Sequence, residues 1–248
     1  MDSTLSGSAV ADPAIRFAFS GVVDGNMSLA VGRPDAGARD RLAAAVSARR
    51  HELVFMQQVH GGDVAIVGAA ERGRGLGRHD DGMHAVDALV THDTGVGLVV
   101  QVADCVPVLL ADTHASIAAV HAGRRGVMAN VVGSAVAAMA PASPSRVEAV
   151  VGPAIGGCCY EVEPELAATV SSRVPRARAT TTWGTTSLDL PSAVDAQLRA
   201  AGVTTIVRYG GCTRCAPGAP WFSHRRDPGR GRQAGVIVRH AHAGGRHA

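Results

Sequence analysis

Lysine is absent from this chain of 248 residues, and all 24 of its basic residues are arginine. This absence excludes enzymes that depend on a lysine Schiff base, a pyridoxal-phosphate lysine or the lysine of a phosphate-binding P-loop. Aromatic residues make up only 3% of the sequence, so a core must be built mainly from Val, Ala and Leu. The hydrophobic share of 46% is nevertheless large enough for a sizeable core.

The sequence also lacks long apolar runs and a secretory signal. No apolar run approaches the length of a membrane span, and residues 1–7 are polar without a basic start. The net charge of +3 is mild, and no dense basic block precedes the last third, so nucleic-acid binding is not indicated. The five cysteines are odd in number and two are adjacent, which argues against a disulfide framework. We therefore expect a cytoplasmic protein without a membrane or nucleic-acid partner.

Strand and helix patterns are mixed along the chain. Apolar, β-branched runs predict strands at residues 15–20, 53–59, 63–67, 87–91, 97–102, 106–111, 117–120, 147–151, 204–208 and 234–239. Helical patterns cover residues 38–50, 124–139, 163–173 and 192–201. Because the strands do not alternate strictly with helices, the pattern favours layered sheets covered by helices over a doubly wound parallel sheet. We expect disorder at residues 1–13, one domain over 14–239 and a loose tail at 240–248.

Cys105 and His121 flank a short polar turn between two apolar runs. If the runs pair as a hairpin about Thr113, Cys105 lies opposite His121, with Cβ atoms about 4.5–5.5 Å apart on one face. A thiolate and an imidazole at that distance suit either a shared metal ion or a nucleophile–base pair. The register stays open because Pro107 cannot donate to a ladder, which predicts an edge strand or a bulge.

His60 follows an apolar run and precedes two glycines, which let the backbone turn and leave space beside the imidazole. With Cys105 and His121 it would make three ligands, the number that catalytic zinc sites use while keeping a fourth position open. This mixed donor set suits zinc or copper better than magnesium or calcium. The alternative is that His60 is an ordinary loop residue.

Two further features border this hairpin. Asp104 precedes Cys105, where it would orient a ligand or act as a general base, or else bond a backbone amide as a purely structural residue. Gly123-Arg124-Arg125-Gly126 leads from a strand into a helix, an arrangement that suits an anion site, although a pair of solvated arginines is the simpler reading.

Cys212-Thr213-Arg214-Cys215 has the spacing of half a zinc site or of a redox couple. No second pair with this spacing exists in the sequence, so we favour a structural reading of these two cysteines. The segment Trp221-Phe222-Ser223-His224-Arg225-Arg226-Asp227 would stack an aromatic ring and hold an anion, or form a packed corner.

Several stretches together resemble the YfiH-like family, also called the polyphenol-oxidase or laccase-domain family. They are Gln57-Gln58-Val59-His60-Gly61, Asp87-Ala88-Leu89-Val90-Thr91, Ala103-Asp104-Cys105-Val106-Pro107, His121-Ala122-Gly123, Gly152-Pro153-Ala154-Ile155-Gly156, Cys158-Cys159-Tyr160-Glu161-Val162, Cys212-Thr213-Arg214-Cys215 and Ser223-His224-Arg225-Arg226-Asp227. The motifs occur in the family's order over residues 17–238. Members of this family are described as purine nucleoside phosphorylases.

The resemblance implies an α+β fold, a single-domain four-layer α/β/β/α sandwich with mixed sheets. It also implies zinc at His60, Cys105 and His121, phosphorolysis of adenosine, inosine, guanosine and methylthioadenosine, and deamination of adenosine. Zinc deaminases activate a water for attack at C6 of adenine, so the chemistry is coherent. Phosphorolysis needs a held phosphate and a stabilised purine, for which Gln58, Arg125 and Arg226 are the candidate binding residues.

The chain departs from the family's usual pattern at three places. Gly21-Val22-Val23-Asp24-Gly25 lacks an arginine that the family usually has there, Arg124 replaces a tryptophan, and Val194-Asp195 replaces an Asn-Arg pair. The metal set is intact, whereas the three departures bear on the recognition of phosphate and base. Two other activities stay open, namely a peptidoglycan-editing hydrolase that acts through Cys105 or a metal, and a copper-dependent polyphenol oxidase. A non-enzymatic role as a metal-binding partner protein also stays open because of the altered N-terminal segment. The oxidase ranks last because multicopper oxidation needs several histidine-rich sites and the sequence indicates one.

Overall fold

The computed structural model describes residues 5–8, 12–113 and 115–241. Its strands are β1 (Leu5–Ser8), β2 (Ile15–Phe19), β3 (Leu53–Val54), β4 (Val64–Ile66), β5 (Ala88–Thr91), β6 (Gly97–Val102), β7 (Val106–Asp112), β8 (Ser116–Ala122), β9 (Val147–Val151), β10 (Arg178–Thr180), β11 (Thr186–Leu188), β12 (Thr205–Arg208) and β13 (Gln233–Arg239). Its α-helices are α1 (Ala38–Ala45), α2 (Arg124–Met128), α3 (Val131–Ala138), α4 (Pro164–Arg173) and α5 (Leu190–Ala200).

Two mixed sheets and a small hairpin contain all of these strands. The first sheet has the order β1-β2-β13-β6-β3, the second has the order β12-β9-β7-β8-β5-β4, and β10 pairs with β11. Parallel pairs occur in both large sheets, because β3 runs parallel to β6, while β4 and β12 run parallel to β5 and β9. The predicted α+β class with mixed sheets is confirmed.

Three layers of buried side chains separate four layers of secondary structure. Helix α1 packs on the outer face of the first sheet, the two sheets face each other across an apolar layer, and α3, α4 and α5 cover the outer face of the second sheet. The order is therefore α/β/β/α, as the resemblance implies. No helix in the described ranges combines the length and the apolar character needed to cross a bilayer.

The central strands β7 and β8 are apolar and buried throughout because both of their faces are covered. Alternate side chains pack into different layers of the core. Val108 and Val120 pack toward the helices, whereas Leu109 and Ala119 pack toward the first sheet. Odd-numbered residues of both strands thus face the space between the sheets. Cys105 belongs to that same layer.

Two expectations differ from the structure. Pro107 does not mark an edge or a bulge, since β7 lies between β8 and β9. It stands at the start of β7, where the ladder with β9 begins only at Val108. Its carbonyl accepts the Gly152 amide at 2.9 Å, and its missing N–H falls at the end of the ladder. Within the segment expected to be disordered, Leu5–Ser8 form an edge strand paired with β2, while residues 1–4, 9–11 and 242–248 lie outside the described residues.

Candidate metal centre and active site

The β7–β8 hairpin brings Cys105 and His121 together, although not in the predicted register. The ladder closes at Asp112 and Ser116, so Pro107 lies opposite His121 and Cys105 lies two residues before that position, just ahead of β7. The predicted direct opposition is therefore wrong. Because a two-residue shift preserves the face of a strand, the two side chains still point to the same side.

His60 completes a compact cluster with this pair. One donor atom from each of His60, Cys105 and His121 lies within 4.8 Å of the others, and the two imidazole rings meet edge to face with centroids 4.7 Å apart. His60 has a φ of +62°, a left-handed conformation that L-residues seldom adopt. Its side chain is exposed, whereas that of His121 is buried.

Asp87 holds this strained turn and orients His121. The buried Asp87 carboxylate accepts the amide N–H groups of His60 at 2.9 Å and Gly61 at 2.6 Å, with that of Val59 at 3.2 Å. It also accepts a hydrogen bond from Nδ1 of His121 at 2.7 Å. This bond leaves Nε2 of His121 for the cluster, the arrangement that metal-ligating histidines commonly have.

The sequence pattern does not assign Asp87 to the site. Its place at the start of an apolar strand is the one hint of a role, because a carboxylate buried there requires hydrogen-bond donors. The pKa of Asp87 lies below its usual value: burial raises it, but the hydrogen bonds from His121 and from the amides of Gly61 and His60 outweigh that effect.

Cys105 and His121 shift each other's pKa. Burial raises the pKa of the Cys105 thiol, yet His121 and His60 outweigh burial and lower it to about 6. Burial likewise lowers the pKa of His121, but the Cys105 thiolate and Asp87 outweigh it and raise that pKa to about 9. In the absence of a metal the two shifts together favour a thiolate at Cys105 beside an imidazolium at His121.

The donor set fits a zinc ion. Two imidazoles and one thiolate are ligands that Zn²⁺ accepts, and three protein ligands are typical of catalytic sites. The backbone leaves room for the cluster at Gly123, where an added Cβ would lie 2.8 Å from Cδ2 of His60 and 3.2 Å from Sγ of Cys105. A side chain is therefore excluded at the junction between β8 and α2.

The cluster lies in a cavity of about 530 Å³. Among the residues that line it are four arginines, Arg124, Arg125, Arg225 and Arg232. In the described part of the chain none of the four forms an ion pair with a carboxylate; the ion-paired arginines are others. The cavity thus combines a metal-type donor set with several guanidinium groups.

Tyr160 also lines this cavity. Burial raises its pKa, while the neighbouring Arg124 guanidinium, which bonds the phenol, works in the opposite direction. The phenol therefore remains protonated at neutral pH and is a hydrogen-bond donor beside the arginines.

Gln58 and Asp104 line the cavity, but their polar groups bond other parts of the protein. The Gln58 amide bonds the backbone of Gln101 in both directions, at 2.7 Å and 2.8 Å. The Asp104 carboxylate accepts the Thr213 hydroxyl at 2.6 Å and the Arg225 amide at 2.7 Å. These bonds favour the structural reading of Asp104, which has a φ of +89°.

Arg226 does not line the cavity, contrary to its predicted role in binding substrate. Its guanidinium donates to the carbonyls of Thr213 at 2.6 Å and Trp221 at 2.7 Å, and it pairs with Asp227 at 2.8 Å. The neighbouring Arg225 faces the cavity instead. Adjacent residues in a turn point in different directions, which the sequence motif alone does not resolve.

The structure also gives Cys212 and Cys215 the partners that the sequence pattern did not reveal. Cys158 and Cys159 approach them, and the four sulfur atoms lie within 4.8 Å of one another. No disulfide links the five cysteines, which are all free thiols.

Comparison with known proteins gives one family for this chain. The model of a family described as multi-copper polyphenol oxidoreductase laccase matches residues 25–240. A protein of Streptomyces coelicolor named a purine nucleoside phosphorylase is 45% identical over 219 residues, which cover 86% of each chain. One of Streptomyces griseus with the same name is 44% identical, covering 80% of this chain and 79% of the relative.

Solved structures agree with this result. YlmD from Geobacillus stearothermophilus superposes with a TM-score of 0.83 at 32% sequence identity, covering 92% of this chain and 93% of YlmD. The hypothetical protein YfiH of Bacillus licheniformis superposes with a TM-score of 0.81 at 28% identity, covering 90% and 92%. The resemblance read from the sequence motifs is confirmed.

Proposed function

The chain belongs to the multi-copper polyphenol oxidoreductase laccase family, and from that premise we propose that it is a zinc-dependent purine nucleoside phosphorylase that also deaminates adenosine. Its substrates are adenosine, inosine, guanosine and methylthioadenosine, with inorganic phosphate as the second substrate. The names of the relatives support the reaction class. The free thiols support a cytoplasmic location, where cysteines stay reduced.

One observation carries the proposal: the His60–Cys105–His121 cluster and four arginines line the same cavity. Its volume of about 530 Å³ lies in the range of small-molecule sites. Guanidinium groups are suited to phosphate because they donate in a planar fork and keep their charge.

The arginines hold phosphate and the cavity orients the nucleoside against it. Phosphate attack at C1′ places negative charge on the departing purine, and fixed donors such as the Tyr160 phenol stabilise that charge. A zinc ion held by His60, Cys105 and His121 would supply a Lewis acid at this position. Asp104 acts through Arg225, whose amide it holds, and we propose it as a positioning residue.

Product analysis tests the phosphorylase. Protein with measured zinc should convert adenosine and phosphate to adenine and ribose 1-phosphate, and should release no base in phosphate-free buffer. Arg125→Gln should raise the KM for phosphate by about tenfold or more because it removes one charged donor. Arg49→Gln, at an exposed surface position, is the matched control. If zinc-loaded protein releases no base from any of the four nucleosides, the proposal fails.

Deamination has its own test. Inosine should form from adenosine without phosphate, and His60→Ala should abolish it together with metal binding. Deamination that persists in metal-free protein contradicts a zinc-dependent reaction. Metal analysis of the active protein also decides between zinc and the alternative, copper.

A second candidate is a peptidoglycan-editing cysteine hydrolase, favoured by the relay of Cys105, His121 and Asp87. The lowered pKa of the thiol, to about 6 under the influence of His121, suits a nucleophile, and the 2.7 Å bond from His121 to Asp87 resembles the order of a catalytic triad. This hydrolase would be active without metal and inactivated by thiol reagents. Strict metal dependence would exclude it.

A further inference from the structure

A second cluster, outside the cavity, contains only cysteines. Cys158 and Cys159 follow β9, and Cys212 and Cys215 follow β12. Because β9 and β12 are parallel neighbours, the loops that leave their ends emerge side by side at one edge of the sheet. A bridge between Ala154 and Cys212 continues that pairing, and the Thr213 amide donates to the Ala154 carbonyl at 3.0 Å.

The spacing of the sulfur atoms fits one metal ion. Zinc–thiolate bonds of about 2.3 Å in a tetrahedron give sulfur–sulfur edges of about 3.8 Å. The Sγ atoms of Cys158 and Cys215 are 3.8 Å apart, and all four sulfurs lie within 4.8 Å of one another. A disulfide would instead require two of these atoms to close to about 2.05 Å.

The backbone supports a thiolate at Cys212. The Gly156 amide donates to Sγ of Cys212 at 3.4 Å. Burial raises the pKa of Cys212, but hydrogen bonds from the amides of Gly156, Cys215 and Arg214 outweigh it and hold that pKa below its usual value. Amide donors that converge on a ligand sulfur are typical of metal-binding cysteine loops.

The burial of the four cysteines suits a bound ion that solvent can still reach. A divalent ion that binds cysteine thiols displaces their protons. Cys215 is exposed and gives an ion access, while Cys159 is buried.

We propose that Cys158, Cys159, Cys212 and Cys215 bind a structural zinc ion, separate from the ion proposed for the cavity. Four thiolates without an open position are the donor set of a closed structural zinc site. The ion joins the loop that presents Tyr160 to the cavity with the loop whose Thr213 hydroxyl bonds Asp104. It therefore fixes two walls of the cavity without touching substrate.

Metal analysis of the full-length chain tests this proposal independently of any activity. Protein purified under reducing conditions should contain two zinc ions per chain, and Cys105→Ser and Cys215→Ser should each contain one. The two variants are matched controls for each other because each removes a single thiol from a different cluster. A single ion that is lost in Cys105→Ser, or an unchanged content in Cys215→Ser, overturns the proposal.

Cobalt substitution reports the ligands directly. It leaves all four cysteines of the second cluster intact, so it does not require a variant of that cluster to fold. Cobalt-loaded Cys105→Ser, in which only cysteines of the second cluster can contribute thiolates, should keep an intense thiolate-to-cobalt charge-transfer band. Loss of that band overturns the proposal. Denatured, metal-stripped protein should also show five reactive thiols without added reductant. A lower number of thiols means that cysteines form disulfides, which overturns the proposal. Iron in place of zinc in the metal analysis overturns the proposed identity of the ion.

Discussion

At the scale of single residues, Asp87 has the widest influence on the candidate site. One buried carboxylate accepts three amides from the turn at His60 and the imidazole N–H of His121. It therefore fixes a backbone strained at His60 and a side-chain tautomer at His121 at once. A change at this one position is expected to alter both metal binding and stability.

We expect Asp87→Asn to weaken zinc binding at the cavity by about 10–100-fold, the usual effect of removing a partner of a metal-ligating histidine. An amide cannot accept from all four donors, so unfolding free energy should fall by about 1–3 kcal/mol. Competition with a chromophoric chelator and urea denaturation measure the two effects. Asp40→Asn, in an exposed ion pair with Arg50, should change neither. Unchanged zinc affinity in Asp87→Asn would contradict the role of this carboxylate.

The thiolate character of Cys105 predicts a pH profile for the metal-free protein. Its pKa is lowered from 9.0 to about 6, so alkylation by iodoacetamide should stay fast as the pH falls from 9 and should decline only near 6. In His121→Gln the decline should begin at higher pH because the neighbouring cation is lost. The rate assigned to Cys105 is the difference from Cys105→Ser. A decline near pH 9 in the unmodified protein would refute the lowered pKa.

The same pair has little influence on the pH dependence of stability. Lowering the pKa of Cys105 to about 6 gives stabilisation that is lost as the pH falls from 9 toward 6. Raising the pKa of His121 from 6.5 to about 9 gives stabilisation that is lost as the pH rises through that window. The two slopes have opposite signs, so their sum is nearly flat between about pH 6.5 and 9.

At the scale of elements, the sequence predicts whether a segment is a helix or a strand better than it predicts where that segment begins and ends. The pattern predicts one helix at residues 124–139, but Asn130, with a φ of +58°, separates α2 from α3. It predicts a strand at residues 53–59, of which only Leu53–Val54 form β3, because the chain then turns toward the strained His60. The β10–β11 hairpin was not predicted, since its two strands have only three residues each.

The junction between β8 and α2 allows a test at this scale. Gly123→Ala places a Cβ 2.8 Å from His60 and 3.2 Å from Cys105, so the cluster must open. We expect zinc affinity at the cavity to fall at least tenfold while circular dichroism stays unchanged, since φ at Gly123 is −76° and alanine accepts it. Gly77→Ala, where a Cβ meets nothing within 4 Å, is the control. Equal zinc affinities of the two variants would contradict the close packing at Gly123.

At the scale of the whole molecule, the layer between the two sheets joins the first sheet to the second. Leu109 of β7 is completely buried there, with side chains from both sheets around it. One shared layer is the physical reason for our proposal that residues 14–239 form a single domain.

Leu109→Ala should therefore reduce the unfolding free energy by about 2–5 kcal/mol, as leucine-to-alanine changes in packed cores do. Unfolding should remain one cooperative transition, with fluorescence and circular dichroism superimposed. Ala142→Gly, at an exposed position outside the cavity, controls for a general effect of substitution. Two separate transitions would contradict a single domain.

The sequence by itself determined the composition of the core, the order of most strands and the candidate donor residues of the cavity. Those depend on local pattern, because apolar periodicity selects strands, and the donors His60, Cys105 and His121 stand beside glycines or at a short turn that short segments reveal. The tertiary structure decided the register that pairs Pro107 with His121, which depends on where the turn closes. It also decided that Arg225 faces the cavity while Arg226 binds carbonyls. The four-cysteine cluster arises only because parallel pairing of β9 and β12 brings together loops more than fifty residues apart.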